Sequence, residues 1–477
     1  MLLSHRRLWM LALLAAAATC WPVPRLDAAQ KKSRPPNVVF ILADDLGYGD
    51  LGCYGQEKIK TPNLDRMAAE GMRFTQFYAG STVCAPSRCC LLTGRHTGHA
   101  YIRDNKEVQP EGQWPIPADA VTVATALKQS GYATACVGKW GLGGPGSTGE
   151  PTAHGFDHFY GHLCQRVAHN HYSPHLWRDG KKVVLEGNTP GNAAGRQYAP
   201  DLMADDALQF IRDHAAQASG PFFLYFATPL PHVSLQAPDD TIAPYRGLWP
   251  ETPFKGQGDY TPQPTPRAAY AAMVTRIDTY VGRMLALVKE LGLDDNTLVL
   301  FTSDNGPTFN GGTDSAFFRS AGGLRGLKQD LYEGGIRAPL IARWPGKVRA
   351  GSTSDLPAAQ WDLFPTLTAS AGAKAVEGLD GLSLLPTLVG RGEQSRHEYL
   401  YWEYHSQGGS QAVRLGDWKA VRKKLNGHRD APIELYDLAA DSGEQKDVAG
   451  EHPDVVAQVR KVLSEARTES DVPGWRF

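Results

Sequence analysis

Short runs of apolar residues recur along the chain, and each run gives way to polar or glycine-rich residues. Runs of this kind, rich in β-branched and aromatic side chains, are typical of strands that a sheet buries on both faces. The pattern predicts strands at 37–43, 72–78, 132–137, 221–227, 297–302 and 340–343. The sequence therefore contains the strands of a sizeable buried sheet.

Between these runs, apolar residues recur at helical spacing. A Thr-Pro start followed by Leu64, Met67 and Ala68 predicts one helix at 61–71. The same reasoning predicts helices at 86–92, 121–130, 201–216, 268–291 and 361–371. Because strands and helices alternate, we predict an α/β fold with a mostly parallel central sheet flanked by helices.

The character of the chain changes near residue 391. Short strands separated by polar turns are predicted at 399–404, 411–415, 418–422 and 433–436, with a closing helix at 451–467. Strands joined by short turns favour antiparallel pairing. We therefore predict a catalytic domain over residues 36–390 and a small C-terminal α+β subdomain with an antiparallel sheet over residues 391–477.

The first 29 residues have the features of a secretory signal peptide. A basic start precedes an apolar stretch at 8–18, which is too short to span a membrane. Cleavage is expected after residue 19 or 20, or near residue 29. Lipid attachment at Cys20 is the less favoured interpretation, because Ala18-Thr19-Cys20 is a poor lipidation sequence. We expect an exported protein, periplasmic or extracellular, without a membrane span.

The charges along the chain are nearly balanced. Basic and acidic residues number 49 and 50, so the formal net charge is -1. This balance gives no support to a nucleic acid or another polyanion as a charge-driven partner. The hydrophobic fraction of 42% is that of a folded globular protein with a substantial core.

Several predicted strands end at side chains that carry chemistry. Asp44, Lys139, His232 and Asp304 each lie just after a strand. Ligands of α/β sheets gather beyond the carboxyl ends of the strands. We therefore expect these four residues to share one site.

The candidate metal ligands favour oxygen coordination over zinc-type coordination. The seven cysteines include no Cys-x-x-Cys pair, so a zinc cage is not expected, and they are too few for a disulfide framework. Asp44-Asp45 and Asp304-Asn305 are instead two oxygen-rich pairs at strand ends. Three carboxylates and an amide oxygen suit Ca²⁺ or Mg²⁺.

One short motif is more specific than any other part of the sequence. Cys84-Ala85-Pro86-Ser87-Arg88 is followed at once by Leu91-Leu92-Thr93-Gly94-Arg95 within the same segment. The joined motif resembles the signature of the formylglycine-dependent sulfatases, arylsulfatase-like members of the alkaline phosphatase superfamily. The resemblance covers nearly all of the chain after residue 36 and implies the α/β fold of the alkaline phosphatase superfamily. It also implies that a maturation enzyme oxidises Cys84 to 3-oxoalanine (formylglycine), whose hydrate is the nucleophile.

The resemblance also implies a metal site. In sulfatases similar to this chain, the residues that match Asp44, Asp45, Asp304 and Asn305 bind one Ca²⁺, which also meets the residue made from Cys84. Mg²⁺ is the alternative ion.

Further roles follow from the same resemblance. Lys139 and Lys328 match two lysines that face the sulfate group, and Arg88 matches the arginine that holds the hydrated aldehyde and the metal-binding carboxylates. His232 matches the histidine that protonates the leaving alcohol. Fixed cations and a proton donor suit a reaction in which negative charge develops on oxygen.

The chain departs from the family pattern at one position. Many relatives have Gly-Lys-Trp-His-Leu-Gly where this chain has Gly at position 141 in place of the histidine. The base that regenerates the aldehyde is therefore in question. We hypothesise that His169, or less favourably His171, reaches into the vacated space. A sugar-binding or surface role for this histidine-rich segment is the alternative.

These observations predict an exported sulfatase that releases sulfate from a sulfate ester. A sulfated saccharide is the expected substrate, since loop tryptophans such as Trp114 and Trp177 can stack on sugar rings. Small aryl sulfates are expected to react as well. Two alternatives are a phosphoester hydrolase of the same superfamily and a non-catalytic carbohydrate-binding relative. Cys84 disfavours the first, and only the glycine at position 141 supports the second.

Overall fold

The apolar runs form strands in a computed structural model that describes residues 34–217, 220–428 and 430–477. In chain order the strands are β1 (Asn37–Ala43), β2 (Met72–Phe74), β3 (Phe77–Tyr78), β4 (Ala133–Lys139), β5 (His158–His162), β6 (His175–Arg178), β7 (Lys181–Val184), β8 (Phe222–Ala227), β9 (Thr297–Ser303), β10 (Leu340–Arg343), β11 (Ser352–Ser354), β12 (Ala358–Ala359), β13 (Leu400–Tyr404), β14 (Ser410–Leu415), β15 (Trp418–Lys423) and β16 (Ile433–Asp437). The predicted signal peptide at 1–29, with Cys20, lies outside the described residues.

α-Helices follow β1, β3, β7, β8, β9, β12 and β16 along the chain. They are α1 (Pro62–Ala69), α2 (Cys84–Thr93), α3 (Val123–Gln129), α4 (Ala199–Gln217), α5 (Asp239–Ile242), α6 (Pro266–Glu290), α7 (Ser315–Phe318), α8 (Glu333–Ile336), α9 (Leu363–Ala371), α10 (Leu385–Val389) and α11 (Pro453–Glu465). Within the described ranges, no helix is both long enough and apolar enough to cross a bilayer.

A ten-stranded sheet forms the centre of the fold, in the order β11-β2-β10-β9-β1-β8-β4-β5-β6-β7. The consecutive neighbours β9, β1, β8, β4 and β5 all pair in parallel. Antiparallel pairs join β10 to β2 and β9 on one side, and β6 to β5 and β7 on the other. The predicted α/β fold is confirmed, with the parallel strands at the centre of the sheet.

Both faces of the sheet are covered by helices. Alternate residues of a strand face opposite sides of the sheet, and β1 places Phe40 in one hydrophobic core and Ile41 in the other. The first core includes residues of α2, α3 and α9, and the second includes residues of α1, α4 and α6. This two-sided burial explains why the run is apolar without interruption from Val38 to Ala43.

Three local predictions differ from the structure. The predicted strand at 72–78 is two strands, because the chain leaves the central sheet after β2 and pairs through β3 with β12 in a two-stranded sheet. Helix α2 begins at Cys84 rather than at Pro86, since a proline is tolerated in the first turn, where its missing N–H would be unpaired. The apolar pattern also missed β5, β6, β7, β11 and β12, which are short and mostly carry polar or small residues.

The C-terminal segment forms the predicted antiparallel sheet. Its order is β13-β14-β15-β16, and α11 packs against it through Val455, Val459 and Leu463. Trp402 of β13 donates a hydrogen bond from Nε1 to the carbonyl of Ala79 at 2.9 Å. Residues 35–477 form one compact unit, and the domain boundary between residues 390 and 391 stays a prediction.

Candidate active site

The carboxyl ends of the central strands carry the side chains of one buried site. Asp44 follows β1, Asp304 follows β9, and Lys139 is the last residue of β4. Lys139 Nζ lies 2.6 Å from Asp44 Oδ2. Arg88 Nη2 joins the two aspartates, at 2.8 Å from Asp304 Oδ2 and 3.4 Å from Asp44 Oδ2. The sheet topology therefore brings these strand-end residues together.

Cys84 lies among them as the first residue of α2, and it is 1% exposed. Its Sγ donates a hydrogen bond to Asp44 Oδ1 at 3.4 Å and lies 3.5 Å from Lys328 Nζ. Asn105 Oδ1 accepts the N–H of Ala85 at 2.9 Å, which satisfies one of the unpaired N–H groups at the helix start. Burial, reinforced by Asp44, raises the pKa of the Cys84 thiol to about 12. At neutral pH the thiol is therefore protonated.

Asp45 connects two further elements to the site. It adopts the left-handed conformation, with φ 64°, which aspartate tolerates better than most residues. Its carboxylate accepts hydrogen bonds from Lys328 Nζ at 2.7 and 2.9 Å and from Asn305 Nδ2 at 2.7 Å. Its backbone N–H donates to Asp304 Oδ1 at 3.1 Å. The loop that carries Lys328 is thereby fixed to two strand ends.

The paired charges control ionisation in this buried site. Burial would raise the pKa of Asp44, but Lys139 and Arg88 hold it well below its usual value. Burial and Asp44 raise the pKa of Asp304 to about 6, although Arg88 opposes them. Burial would lower the pKa values of Lys139 and Lys328, but the neighbouring aspartates keep both above the usual value. The two lysines therefore remain charged at neutral pH.

His232 forms another side of the site, after β8. Its Nδ1 is hydrogen-bonded to the carbonyl of Val233, and its Nε2 lies 3.6 Å from Asp45 Oδ2. Its ring stacks on that of His169, with centroids 4.8 Å apart and planes 8° from parallel. Burial, reinforced by Lys328, lowers the pKa of His232 well below its usual value. In the neutral imidazole, Nδ1–H donates this hydrogen bond to the Val233 carbonyl, so Nε2 carries the lone pair.

A glutamine lies beside the glycine that departs from the family pattern. Gly141 has a φ of +80°, and a Cβ built on it would lie 2.8 Å from Gln165 Nε2 and 3.3 Å from Gln165 Cγ. His169 instead stacks on His232, and His171 Nε2 lies 2.8 Å from the carbonyl oxygen of His232. The nearest side chain is thus Gln165, not the histidine that the sequence predicted. A catalytic role for His169 stays a prediction.

The donor set of the site fits a divalent cation. Asp44, Asp45, Cys84 and His232 each offer a ligand atom, and these atoms lie within 4.8 Å of one another. Asn305 Oδ1 is buried, and no described residue supplies it with a hydrogen bond. Carboxylate and amide oxygens are the ligands that Ca²⁺ and Mg²⁺ prefer. The unpaired amide oxygen is therefore available to an ion.

Comparison with known protein families identifies the chain. The model named Sulfatase matches residues 36–373, which is most of the sequence. The chain belongs to the sulfatase family. It is therefore a sulfuric ester hydrolase, and the resemblance drawn from the motif at Cys84 is confirmed. A second model, N-sulphoglucosamine sulphohydrolase, C-terminal, matches residues 327–469 and overlaps the end of the first.

Curated relatives match this sulfatase along most of their length. Arylsulfatase A from Homo sapiens is 34% identical, with 92% of this chain and 89% of the relative covered. N-acetylgalactosamine-6-O-sulfatase from Bacteroides thetaiotaomicron is 32% identical, with 92% of this chain and 94% of the relative covered.

Solved structures confirm the sulfatase fold. Ps i-CgsB in complex with k-i-k-neocarrahexaose superimposes with a TM-score of 0.76 at 29% identity, covering 92% of this chain and 94% of that one. The phosphonate monoester hydrolase of Agrobacterium radiobacter has a TM-score of 0.64 at 21% identity, covering 90% of this chain and 95% of that one. The second likeness shows the fold alone. A non-catalytic carbohydrate-binding role has no support from these comparisons.

Sequence reasoning placed most of this site and missed two of its residues. The structure brings Cys84 and Arg88 together with the predicted lysines, His232 and the metal-ligand set. Gln165 was missed, although a glycine in place of the histidine at position 141 indicates that another side chain can occupy the space. Tyr260, 5.3 Å from the His169 ring, had no signal in the sequence because only the fold brings it there.

Proposed function

We propose that this protein is an exported sulfatase that hydrolyses sulfate esters of carbohydrates, with a formylglycine made from Cys84 and a bound Ca²⁺. The observation that carries the proposal is the place of Cys84. Its sulfur lies between Asp44 and Lys328, inside the group of residues that can hold a metal ion.

The thiol itself is a poor candidate for the nucleophile. The thiolate is the reactive form of cysteine, and a pKa of about 12 leaves almost none of it at neutral pH. Conversion of Cys84 to formylglycine by a maturation enzyme supplies, as the aldehyde hydrate, an oxygen nucleophile for attack on sulfur. Asp44 Oδ1, which already accepts a hydrogen bond from Sγ, is placed to accept one from a hydroxyl group at this position.

The cations of the site suit the sulfate group. Lys139 and Lys328 carry their charge into a site with almost no exposure to solvent, at 1% and 7%. Electrostatic interactions are stronger in such a water-poor environment than in bulk solvent. Both ammonium groups lie near Cys84 and can stabilise the charge that develops on the sulfate oxygens. Arg88 holds Asp44 and Asp304 in place.

His232 is the proposed proton donor to the leaving alcohol. Its neutral form has Nδ1 bound to the Val233 carbonyl, so a proton taken up from solvent or substrate enters at Nε2. Burial and two lysines oppose that uptake. An anionic sulfate ester bound beside the lysines offsets their charge, which raises the pKa of His232 when the substrate is in place.

The proposed metal ligands are the predicted set of Asp44, Asp45, Asp304 and Asn305, with the residue made from Cys84. A divalent ion bound there supplies Lewis-acid stabilisation of the sulfate oxygens. The chain supplies the orientation: Arg88 fixes Asp304, and Asn305 Nδ2 fixes Asp45, which leaves Asn305 Oδ1 free among the described residues.

The relatives support a sulfated carbohydrate as the substrate. Several of them, from mammals and from Bacteroides thetaiotaomicron, are named for the 6-sulfate of N-acetylgalactosamine, and one solved structure holds a neocarrahexaose. The predicted signal peptide at 1–29 is the basis for export to the periplasm or the extracellular space. A phosphoester hydrolase is less well supported, since only a likeness of fold favours it.

The test measures conversion of Cys84, the effect of metal removal and the release of sulfate. The protein is produced with a maturation enzyme, and mass spectrometry of the peptide with Cys84 should show an aldehyde in place of the thiol. That protein should release sulfate from at least one member of a panel of monosulfated sugars, and chelation should reduce both activity and thermal stability. Cys84→Ala should abolish release, while Cys53→Ala, at a half-buried thiol outside the site, should not. Full activity of Cys84→Ala would refute the proposal.

A further inference from the structure

The turn that follows β5 holds two buried polar atoms that the protein leaves unpaired. Gln165 Nε2 and His169 Nδ1 have no hydrogen-bond partner in the part of the chain that the structure describes. A buried polar group without a partner destabilises the folded protein, because it has lost its hydrogen bonds to water. Such groups are rare enough in native proteins that each needs an explanation. Two in one turn that borders the candidate active site point to a ligand.

Gln165 lies on the side of the site that carries Lys139. It follows β5, and β5 pairs in parallel with β4, so its backbone is at the same edge of the sheet as Lys139. Its amide occupies the space next to Gly141, two residues beyond that lysine. The residue is 5% exposed, so its unpaired N–H donor faces the interior rather than bulk water.

His169 lies at the other end of the turn, on the side of the proposed proton donor. Its ring stacks on His232 and lies 5.3 Å from the ring of Tyr260, tilted by 52°. His169 and Tyr260 also line a cavity of about 610 Å³. Cavities of several hundred cubic ångströms that are lined by aromatic and polar groups are typical of small-molecule sites. Through the ring of His169, this cavity adjoins His232.

The basic residues at this cavity lie against acidic partners, and Asp259 also lines it. Arg166 Nε lies 2.6 Å from Glu107 Oε1, and His175 Nε2 lies 2.9 Å from Glu111 Oε1. Both basic residues line the cavity, and each has an acidic partner. The cavity therefore offers aromatic faces and hydrogen-bonding groups without an excess of positive charge. That chemistry suits an uncharged sugar ring better than one with a second sulfate or a carboxylate.

We propose that the turn Gln165–His169 recognises the substrate, with the Gln165 amide donating to the sulfate group and His169 Nδ1 bonding a hydroxyl of the sugar. The sugar is an uncharged hexose or N-acetylhexosamine ring that carries one sulfate and lies in the cavity beside Tyr260. This inference rests on the proposed function, since it assigns the substrate of the same site. It gives His169 a substrate-binding role.

The test compares two substrates on isosteric variants that keep the packing. Gln165→Met keeps the length of the side chain without a donor, and His169→Phe keeps the ring without nitrogen. The substrates are the monosulfated sugar that the wild type hydrolyses fastest and 4-nitrophenyl sulfate, which has no sugar hydroxyl. Gln165→Met should lower kcat/KM about tenfold or more on both, because every substrate has the sulfate group. His169→Phe should lower kcat/KM at least about tenfold more on the sugar than on the aryl sulfate, chiefly through KM.

Two control variants and three contrary outcomes make this test decisive. Gln209→Ala on α4 and His452→Ala before α11 lie outside the site and should match the wild type on both substrates. Equal losses on both substrates for His169→Phe would overturn the assignment and favour a role in proton transfer. Undiminished activity of either variant on the sugar would overturn it as well. Failure of the proposed function looks different, because the wild type would then release no sulfate from either substrate.

Discussion

Arg88 is the residue on which the electrostatics of the site most depend. Its side chain and that of Asp304 have no exposure to solvent, and Nε and Nη2 lie 3.1 and 2.8 Å from Asp304 Oδ2. Removal of one partner of a buried pair costs about 3–5 kcal/mol, because the other charge is left buried without compensation. We therefore expect Arg88→Met to lower the free energy of unfolding by that amount.

A second substitution at Asp304 should partly restore the stability lost in Arg88→Met. Asp304→Asn in the Arg88→Met background removes the stranded carboxylate, so the double variant should recover about 1–3 kcal/mol over Arg88→Met. The cost should also depend on pH. Burial and Asp44 already raise the pKa of Asp304 to about 6, and loss of Arg88 raises it further. A raised carboxyl pKa favours the native state at low pH. The destabilisation should thus be smaller at about pH 5 than at about pH 8.

The assay is urea unfolding with a chelator present, so that bound metal does not contribute. Arg66→Met is the matched control, since that arginine is 55% exposed and lies 4.0 Å from Glu70. Its effect should stay within about 0.5 kcal/mol. If the costs of Arg88→Met and Asp304→Asn simply add in the double variant, the guanidinium does not compensate that carboxylate and the account of the site is wrong.

Two predictions concern buried charges outside the active site. Burial raises the pKa of Asp50 to about 6 from 3.8, so ionisation of this carboxyl group lowers the stability of the native state as pH rises from about 4 to 7. Asp50→Asn should remove this contribution, which is up to about 3 kcal/mol, and urea unfolding across the same pH range measures it. An unchanged pH profile in the variant would refute this. Lys419 Nζ lies 2.8 Å from Glu333 and 3.6 Å from Glu444, and all three side chains are fully buried. Lys419→Met should therefore lower the free energy of unfolding by about 3–5 kcal/mol, and Lys419→Met/Glu333→Gln should recover part of that loss. Equal stability of the single and double variants would contradict that account.

The pattern of apolar residues was sufficient for the strands that matter most to the site. The runs at 37–43 and 297–302 are mostly apolar because both faces are buried; the first ends directly before Asp44, and Ser303 separates the second from Asp304. The pattern could not reveal β5, since His158–His162 has polar residues at both ends and a glycine inside. The position of Gln165 depends on that strand and on the conformation of Gly141. Both are properties of the folded chain rather than of the local sequence.

The balance of charge in the site has a consequence for ligand binding. Three aspartates are matched by one arginine and two lysines, whose contacts with the carboxylates are as short as 2.6 Å. A divalent ion that coordinates the carboxylate oxygens would weaken their ion pairs with the lysines and give the site a net positive charge. An anion such as inorganic sulfate neutralises that excess, so ion and sulfate should each increase the affinity for the other. Couplings of this kind are about 5- to 150-fold and reciprocal. Calorimetric titration of sulfate with and without Ca²⁺ measures the change in sulfate affinity. If that affinity does not change when Ca²⁺ is removed, the ion does not release the lysines for sulfate binding and this account is wrong.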